Sequence, residues 1–341
     1  MRIVVTGGAG YIGSVVTELL LANGHSALVI DDLSKGHRHA IAPEADFLQL
    51  NLLDGPAVTE ALRVFQPEVV VHLAASSIVG ESMAKPDIYY RNNVVAGLAL
   101  LDAMRAADVN RLVFSSTAAV YGEPDRQPVD EDAPLRPTNT YGETKLAFER
   151  ALRWYASAYG LSSVSLRYFN AAGATTRNCE RHSPETHLIP LVLDAAAGRA
   201  GDVTVFGDDY PTRDGTCVRD YIHVLDLAHA HLLAIDRLRD RGICRAYNLG
   251  CGGDGYTVRE VITTAERVTG RTVVHRIVPR RQGDPAVLVA SSARIGSDLG
   301  WKPRLQDLEV IVQSAWNCMH TAPPGRVNQS IGCVDAVGGA K

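Results

Sequence analysis

The chain opens Arg2-Ile3-Val4-Val5-Thr6-Gly7-Gly8-Ala9-Gly10-Tyr11-Ile12-Gly13, and the reading of this stretch decides the fold. A short β-branched run meets glycines at 7, 10 and 13, and an amphipathic segment follows. That is the pattern of strand, tight turn and helix. Gly7 permits the turn, Gly10 lets backbone approach a pyrophosphate, and Gly13 lets helix and strand pack closely. Phosphates would meet the free N–H groups of the helix N-terminus. Asp31 ends the next β-branched run, 18 residues beyond Gly13. A carboxylate there accepts hydrogen bonds from adenosine ribose hydroxyls and repels a 2′-phosphate, so the expected cofactor is NAD and not NADP.

Outward from this turn, β-branched runs alternate with longer amphipathic segments. The pattern predicts strands at Ile3–Thr6, Ala27–Asp31, Asp46–Leu50, Val69–Ala74, Leu112–Ser116 and Val164–Tyr168. Between them it predicts helices at Ile12–Asn23, Ala57–Phe65, Tyr89–Ala107 and Tyr141–Tyr159. The expected fold is α/β, a Rossmann-type doubly wound parallel sheet with ligands beyond the carboxyl ends of its strands. After Asn170 the rhythm changes. Residues 171–220 are rich in Gly, Asp, Pro and Thr; helices follow at Val224–Leu238, Thr257–Thr269 and Leu308–Met319, with strands at Ala246–Leu249 and Val273–Val278. The predicted division is a dinucleotide-binding part over 1–170, with contributions from about 221–250, and a smaller, partly interleaved substrate region over 171–322. The small-residue tail 323–341 is expected to fray.

Composition excludes other classes. The 341 residues are 46% hydrophobic and 21% charged, with a net charge of −4 and no long basic run, which argues against nucleic-acid or anionic-membrane partners. No apolar run approaches a membrane span. Cys179, Cys217, Cys244, Cys251, Cys318 and Cys333 form no CxxC pair and no zinc pattern, so they read as thiols of a reducing compartment. Residues 1–6 are too short for a signal segment, and a cytoplasmic location is expected. The sequon at Asn328 carries no weight without one. No metal is expected: His37 and His39 lack a third ligand in sequence reach and read as solvated loop residues, and His229 and His231 face different ways on a helix.

Tyr141-Gly142-Glu143-Thr144-Lys145 sets a tyrosine and a lysine on one helix face. A nearby ammonium, with the positive nicotinamide ring, would favour the phenolate and make Tyr141 a base. Lys145 can also hold the nicotinamide ribose. In Phe114-Ser115-Ser116-Thr117-Ala118-Ala119-Val120-Tyr121-Gly122 a strand ends in hydroxyl residues, one of which can hydrogen-bond a reacting oxygen and pass its proton to Tyr141.

With these motifs, and with Arg167-Tyr168-Phe169-Asn170, Phe206–Tyr210, Arg219–Val224, Tyr247–Gly250 and Pro279–Asp284, the chain resembles the extended short-chain dehydrogenase/reductases. Within them it is similar to the bacterial UDP-glucose 4-epimerases, from Met1 to about Thr321. The resemblance implies a bound NAD that is returned unchanged, and a sugar oxidised at C4, turned over and reduced on its other face. It gives Tyr141 the part of the base and puts Thr117 at the 4-oxygen. Tyr11 and Ile12 fall beside the pyrophosphate, Asp31 at the adenosine ribose, and Asn51 and Leu52 at the adenine edge; Asn51 replaces the usual Asp. Ala74, Asn92 and Ser115 match further NAD contacts, and Tyr168 matches one near the nicotinamide. Asn170, Leu188, Arg219, Arg281 and Asp284 match positions that grip UDP, and His187 matches a substrate-loop position.

Two departures sharpen the reading. Related 4,6-dehydratases carry an Asp-Glu pair where this chain has Ala118 and Ala119, so water elimination is not expected. Leu288 stands where many members narrow the sugar site with a tyrosine, so the resemblance admits UDP-N-acetylglucosamine as well. It further implies a homodimer through the Tyr141 helix, whose second face carries Ala147, Ala151, Trp154 and Ala158, and the helix near Tyr89–Ala107. The alternatives are a 4-epimerase of another UDP-sugar, such as UDP-xylose, a net-redox dehydrogenase, and a non-catalytic dinucleotide-binding protein.

Overall fold

The computed structural model describes residues 1–239, 242–281 and 283–321. The expected tail over 323–341, with Cys333 and the Asn328 sequon, lies outside the described residues. At the centre is a seven-stranded sheet, parallel throughout. In chain order its strands are β1 (Arg2–Thr6), β2 (Ser26–Asp31), β3 (Asp46–Gln49), β4 (Val69–His72), β5 (Arg111–Thr117) and β6 (Ser162–Tyr168), with a late seventh, Cys244–Leu249. In space the order is Cys244–Leu249, β6, β5, β4, β1, β2, β3. The winding reverses beside β1, which has β2 on one side and β4 on the other. The carboxyl ends on either side of that reversal part to leave a crevice.

The runs are almost purely apolar because both faces are covered. Against one face, helix α1 (Tyr11–Ala22) and the helix Val224–Arg237 bury Val15, Val16, Leu20, Leu227 and Ala234 with Ile3, Val5 and Val71. Against the other, helix α2 (Gly55–Phe65) and the helices Ala96–Ala106 and Thr140–Tyr159 bury Leu62, Leu100, Phe148 and Leu152 with Val4, Val70 and Phe114. Past residue 220 the chain therefore returns to the first sheet. A third cluster lies apart, where the helices Leu188–Ala196, Val258–Thr269 and Leu308–Thr321 pack around Ile189, Val192, Val261, Ile311 and Val312.

Several boundaries differ from expectation. β4 stops at His72, which leaves Ala74 in the crevice loop. β5 runs one residue further than predicted, so Thr117 is its last residue and Ala118–Val120 turn away from it. The helix predicted over Tyr89–Ala107 is interrupted: a short turn Pro86–Tyr89 runs into a π-helical turn at Tyr90–Val95 before regular helix resumes. The wider turn is pinned by polar side chains. Asn93 accepts from the Ser76 N–H at 2.8 Å and donates to the Ser76 carbonyl and to Thr144, while Asn92 donates to Ser76 Oγ. The polar stretch over 171–220 also holds the unanticipated helix Leu188–Ala196 and strand Val203–Phe206.

The glycine turn is sterically closed. Gly7 has φ +74°, and a Cβ there would lie 2.5 Å from the Ala74 nitrogen. A Cβ on Gly13 would lie 2.2 Å from the Gly7 carbonyl oxygen. Gly13→Ala is therefore expected to destabilise the protein by roughly 1–3 kcal/mol, the cost of overpacking against backbone that cannot yield. Gly55→Ala, where an added Cβ meets open space, should change stability by less than about 1 kcal/mol. Urea unfolding of the two variants checks the contrast.

Candidate active site

Gly10 is the N-cap of helix α1, and no side chain caps the helix there. Its first N–H groups therefore face the crevice with no protein acceptor of the capping kind, the arrangement that favours an anion. The glycine cradle, with no room for a Cβ on its strand side, fits a pyrophosphate. Asp31 is buried at the end of β2, its Oδ2 accepting from Ala9 N–H at 3.0 Å and its Oδ1 from Leu33 N–H at 2.9 Å. Each oxygen keeps a lone pair for a ribose hydroxyl. Burial pushes its pKa up and the two backbone donors oppose that.

Every residue nominated from the sequence lines one cleft of about 980 Å³. The cofactor nominations Gly7, Gly10, Tyr11, Ile12, Gly13, Asp31, Asn51, Leu52, Ala74, Asn92, Ser115 and Tyr168 all line it. Thr117, Tyr141 and Lys145 line it too, as do Asn170, Leu188, Arg219, Arg281, Asp284 and Leu288.

Asn139 caps the central helix, its side chain accepting from Gly142 N–H at 2.8 Å. That fixes the first turn and hence Tyr141. The Tyr141 phenol is half-buried beside the Thr117 side chain; burial raises its pKa and the Thr117 hydroxyl lowers it. One turn on, Lys145 is buried and donates to the Ser115 carbonyl at 2.8 Å. Its Nζ is 5.9 Å from the Tyr141 ring centroid. Desolvation brings the ammonium down to about 7, and the Glu149 carboxylate pulls the other way. The lysine is therefore the weaker of the two positive charges expected to favour the phenolate. Desolvation dominates both groups, so the further positive charge has to come with the cofactor.

The sequence reading missed what stands behind the lysine. Glu149 accepts from Ser116 Oγ at 2.5 Å and from Arg167 Nε and Nη2 at 3.0 and 2.6 Å, and both partners of the ion pair are buried. Arg167 Nη1 also donates to the Tyr121 hydroxyl at 2.8 Å, which donates to Asn248. The signal was present: Tyr141, Lys145 and Glu149 follow at i, i+4 and i+8 along one face. His231 was missed too. It is fully buried, its Nδ1 lies 2.9 Å from the Leu227 carbonyl, and its Nε2 lies 2.6 Å from the Tyr168 hydroxyl. With Nδ1–H given to a carbonyl, Nε2 accepts, and Tyr168 donates its proton there. That fixes the ring of Tyr168 at the cleft floor.

Other residues singled out from the sequence already have partners. Tyr11 spends its hydroxyl on the Gly173 carbonyl at 2.6 Å and bridges the two halves of the molecule. Asn51 Oδ1 already accepts from Leu53 N–H at 2.9 Å, and its amide donates to Asp32. Arg219 is not a free fork: it pairs with Asp284 at 2.9 Å and donates to the Val218 and Pro285 carbonyls. Arg281 lies over Phe206, 4.3 Å from the ring centroid. His37 is half-buried, not solvated; its Nε2 approaches the Arg181 carbonyl at 3.2 Å, and Arg181 in turn reaches His39.

A family model for the NAD dependent epimerase/dehydratase family matches residues 3–250. The chain belongs to that family. A UDP-glucose 4-epimerase of Corynebacterium glutamicum is 52% identical over 316 residues, covering 93% of this chain and 95% of the relative. One of Halalkalibacterium halodurans is 49% identical, covering 95% and 97%. The solved UDP-glucose 4-epimerase from Brucella ovis in complex with NAD superposes with a TM-score of 0.90 at 45% identity, covering 94% of this chain and 98% of that one. The UDP-Glc/GlcNAc 4-epimerase of Campylobacter jejuni gives 0.84 at 38%, covering 94% and 99%. In this family member Ala118 and Ala119 put no carboxylate next to Thr117.

Burial holds His72 neutral, with a pKa lowered to about 3, and His231 likewise at about 4. An unfolded histidine titrates near 6.5, so below that pH the unfolded state binds protons the folded state refuses, and stability falls as pH drops toward 4. Each such histidine contributes about 1.4 kcal/mol per pH unit to that slope. Urea-derived stability between pH 7 and 4.5 should fall less steeply for His231→Gln than for the unaltered protein.

Proposed function

We propose that this chain is an isomerase that inverts C4 of UDP-hexoses, interconverting UDP-glucose and UDP-galactose with NAD held in the β1–α1 cradle. The observation that carries the reading is the placing of Tyr141 beside Thr117, at the carboxyl end of β5, in the cleft that also holds the glycine turn and the Arg219–Asp284 pair. When bound, the nicotinamide ring supplies a reversible hydride acceptor. Thr117 holds the sugar 4-oxygen and Tyr141 takes its proton and later returns it. Lys145 is anchored by the Ser115 carbonyl, and the Glu149–Arg167 pair fixes the charge behind it. Asn170, Leu188, Arg219, Arg281 and Asp284 hold the UDP end, where arginine suits a diphosphate and a carboxylate suits ribose hydroxyls. The assembled Thr117, Tyr141 and Lys145 weigh against a non-catalytic binding protein.

A wider substrate range rests on Leu288. It is half-buried in the cleft wall, on the strand Val287–Leu288 paired to Val218–Arg219. A leucine there leaves room for an N-acetyl group, and UDP-N-acetylglucosamine is a second substrate in this reading. We also propose a homodimer in the cytoplasm. Trp154 is 75% exposed on the Tyr141 helix, and Tyr90 and Val95 are exposed on the neighbouring segment, an apolar surface a partner copy would cover. Among the described residues no helix is long and apolar enough to cross a membrane.

Purified protein incubated with UDP-galactose, without added NAD, should yield UDP-glucose by NMR with no net absorbance change at the NADH band. Tyr141→Phe should lower kcat by roughly 10²–10⁴-fold. Net accumulation of NADH would instead identify a dehydrogenase, and no conversion even with NAD supplied would move the substrate to another UDP-sugar. Leu288→Tyr is expected to suppress turnover of UDP-N-acetylglucosamine selectively. Light scattering at the mass of a monomer would remove the dimer.

A further inference from the structure

The loop ahead of Leu188, which lines the same cleft, gathers side chains to which the proposed chemistry gives no part. Glu180, His182 and His187 each offer a ligand atom, and these atoms all lie within 4.8 Å of one another. Glu180 Oε1 sits 2.5 Å from His182 Nδ1, and the two imidazole rings are 5.3 Å apart. A fourth group, Glu185, backs them. Its Oε1 lies 2.8 Å from His187 Nδ1 and also accepts from the Thr186 and His187 N–H groups. Its side chain is only 8% exposed, and its second oxygen, Oε2, is buried with no hydrogen-bond partner. A buried carboxylate oxygen left without a donor is costly, and it belongs to the carboxylate that backs His187, one of the three convergent groups.

We propose that Glu180, His182 and His187, oriented by Glu185, form a binding site for a divalent cation of the zinc class. Two imidazole nitrogens and a carboxylate are the donor set that borderline cations prefer, whereas calcium and magnesium favour oxygen alone. The two carboxylates offset the cation's charge. A carboxylate on the far ring nitrogen of a ligating histidine is the usual outer partner of such sites, and Glu185 holds that position toward His187. Binding of the cation replaces the Glu180–His182 hydrogen bond. The site is structural in kind. It ties both ends of the 180–187 loop together, on the stretch whose Arg181 reaches His39 across the cleft and which leads into Leu188.

The test is a titration of the full-length, chelator-treated protein with zinc chloride, and separately with cobalt chloride. The expected result is one equivalent bound, with visible Co²⁺ ligand-field bands of nitrogen coordination. His182→Gln and His187→Gln should each abolish the bands, and Glu185→Gln, which keeps the shape of the side chain, should weaken zinc by roughly 10–100-fold. His37→Gln should leave binding unchanged. Circular dichroism reports whether each variant is folded, and Glu185→Gln decides the matter if a histidine variant is not. No bound zinc, or binding that survives in the folded histidine and Glu185 variants, would overturn the proposal. Because the readout is metal and not turnover, it stands or falls separately from the epimerase reading.

Discussion

The contact between the Gly7 carbonyl and the first turn of α1 sets the geometry on which everything else rests. With 2.2 Å between that oxygen and any Cβ at Gly13, the helix is seated directly on the end of β1. Its N-terminus is thereby brought level with the carboxyl ends of β2 and β4, where the winding of the sheet reverses. Backbone then does the work of side chains. The uncapped amides of α1 form one pole of the cleft, and the other groups are arranged at fixed distances from it because the strands that carry them are in register with β1.

The chemistry in the middle of the cleft is governed by desolvation. A buried lysine and a half-buried tyrosine both resist ionisation, and the structure opposes this with partners: Thr117 for the phenol, the Ser115 carbonyl and the Glu149 carboxylate for the ammonium. Glu149 is in turn held by Arg167, so the negative charge near Lys145 is itself compensated and fixed in place. Such buried pairs add little net stability, since their desolvation cost is of the same order as their attraction, and what they contribute here is position.

The sheet and the Tyr141–Lys145 helix were legible because they rest on local pattern. Apolar runs of strand length, glycines at fixed spacing and an i, i+4 pair each follow from backbone geometry. The π-helical turn at Tyr90–Val95 was not, because no local pattern in the sequence marks it; what stabilises it is Asn93 reaching Ser76 and Thr144, away in sequence. The same holds for Arg167 with Glu149 and for His231 with Tyr168. Each was visible as a residue, and its partner was fixed only by the tertiary fold. The Arg219 assignment shows the converse. A motif placed it at the cleft, but only the tertiary fold shows its guanidinium already engaged by Asp284 and Pro285.

The return of the chain past residue 220 has a consequence for modularity. The seventh strand, Cys244–Leu249, zips along β6 in six parallel residue pairs, and the helix Val224–Arg237 seals the face on which α1 lies. A fragment ending at residue 170 would therefore carry the whole glycine turn and the Tyr141 helix, yet leave β6 as a bare parallel edge beside an uncovered apolar face. The part that grips the dinucleotide cannot be cut out as a self-sufficient unit. Any recombination of this enzyme with a relative has to exchange both crossings of the chain together, and a single junction in the polar 171–220 stretch would splice two incomplete cores.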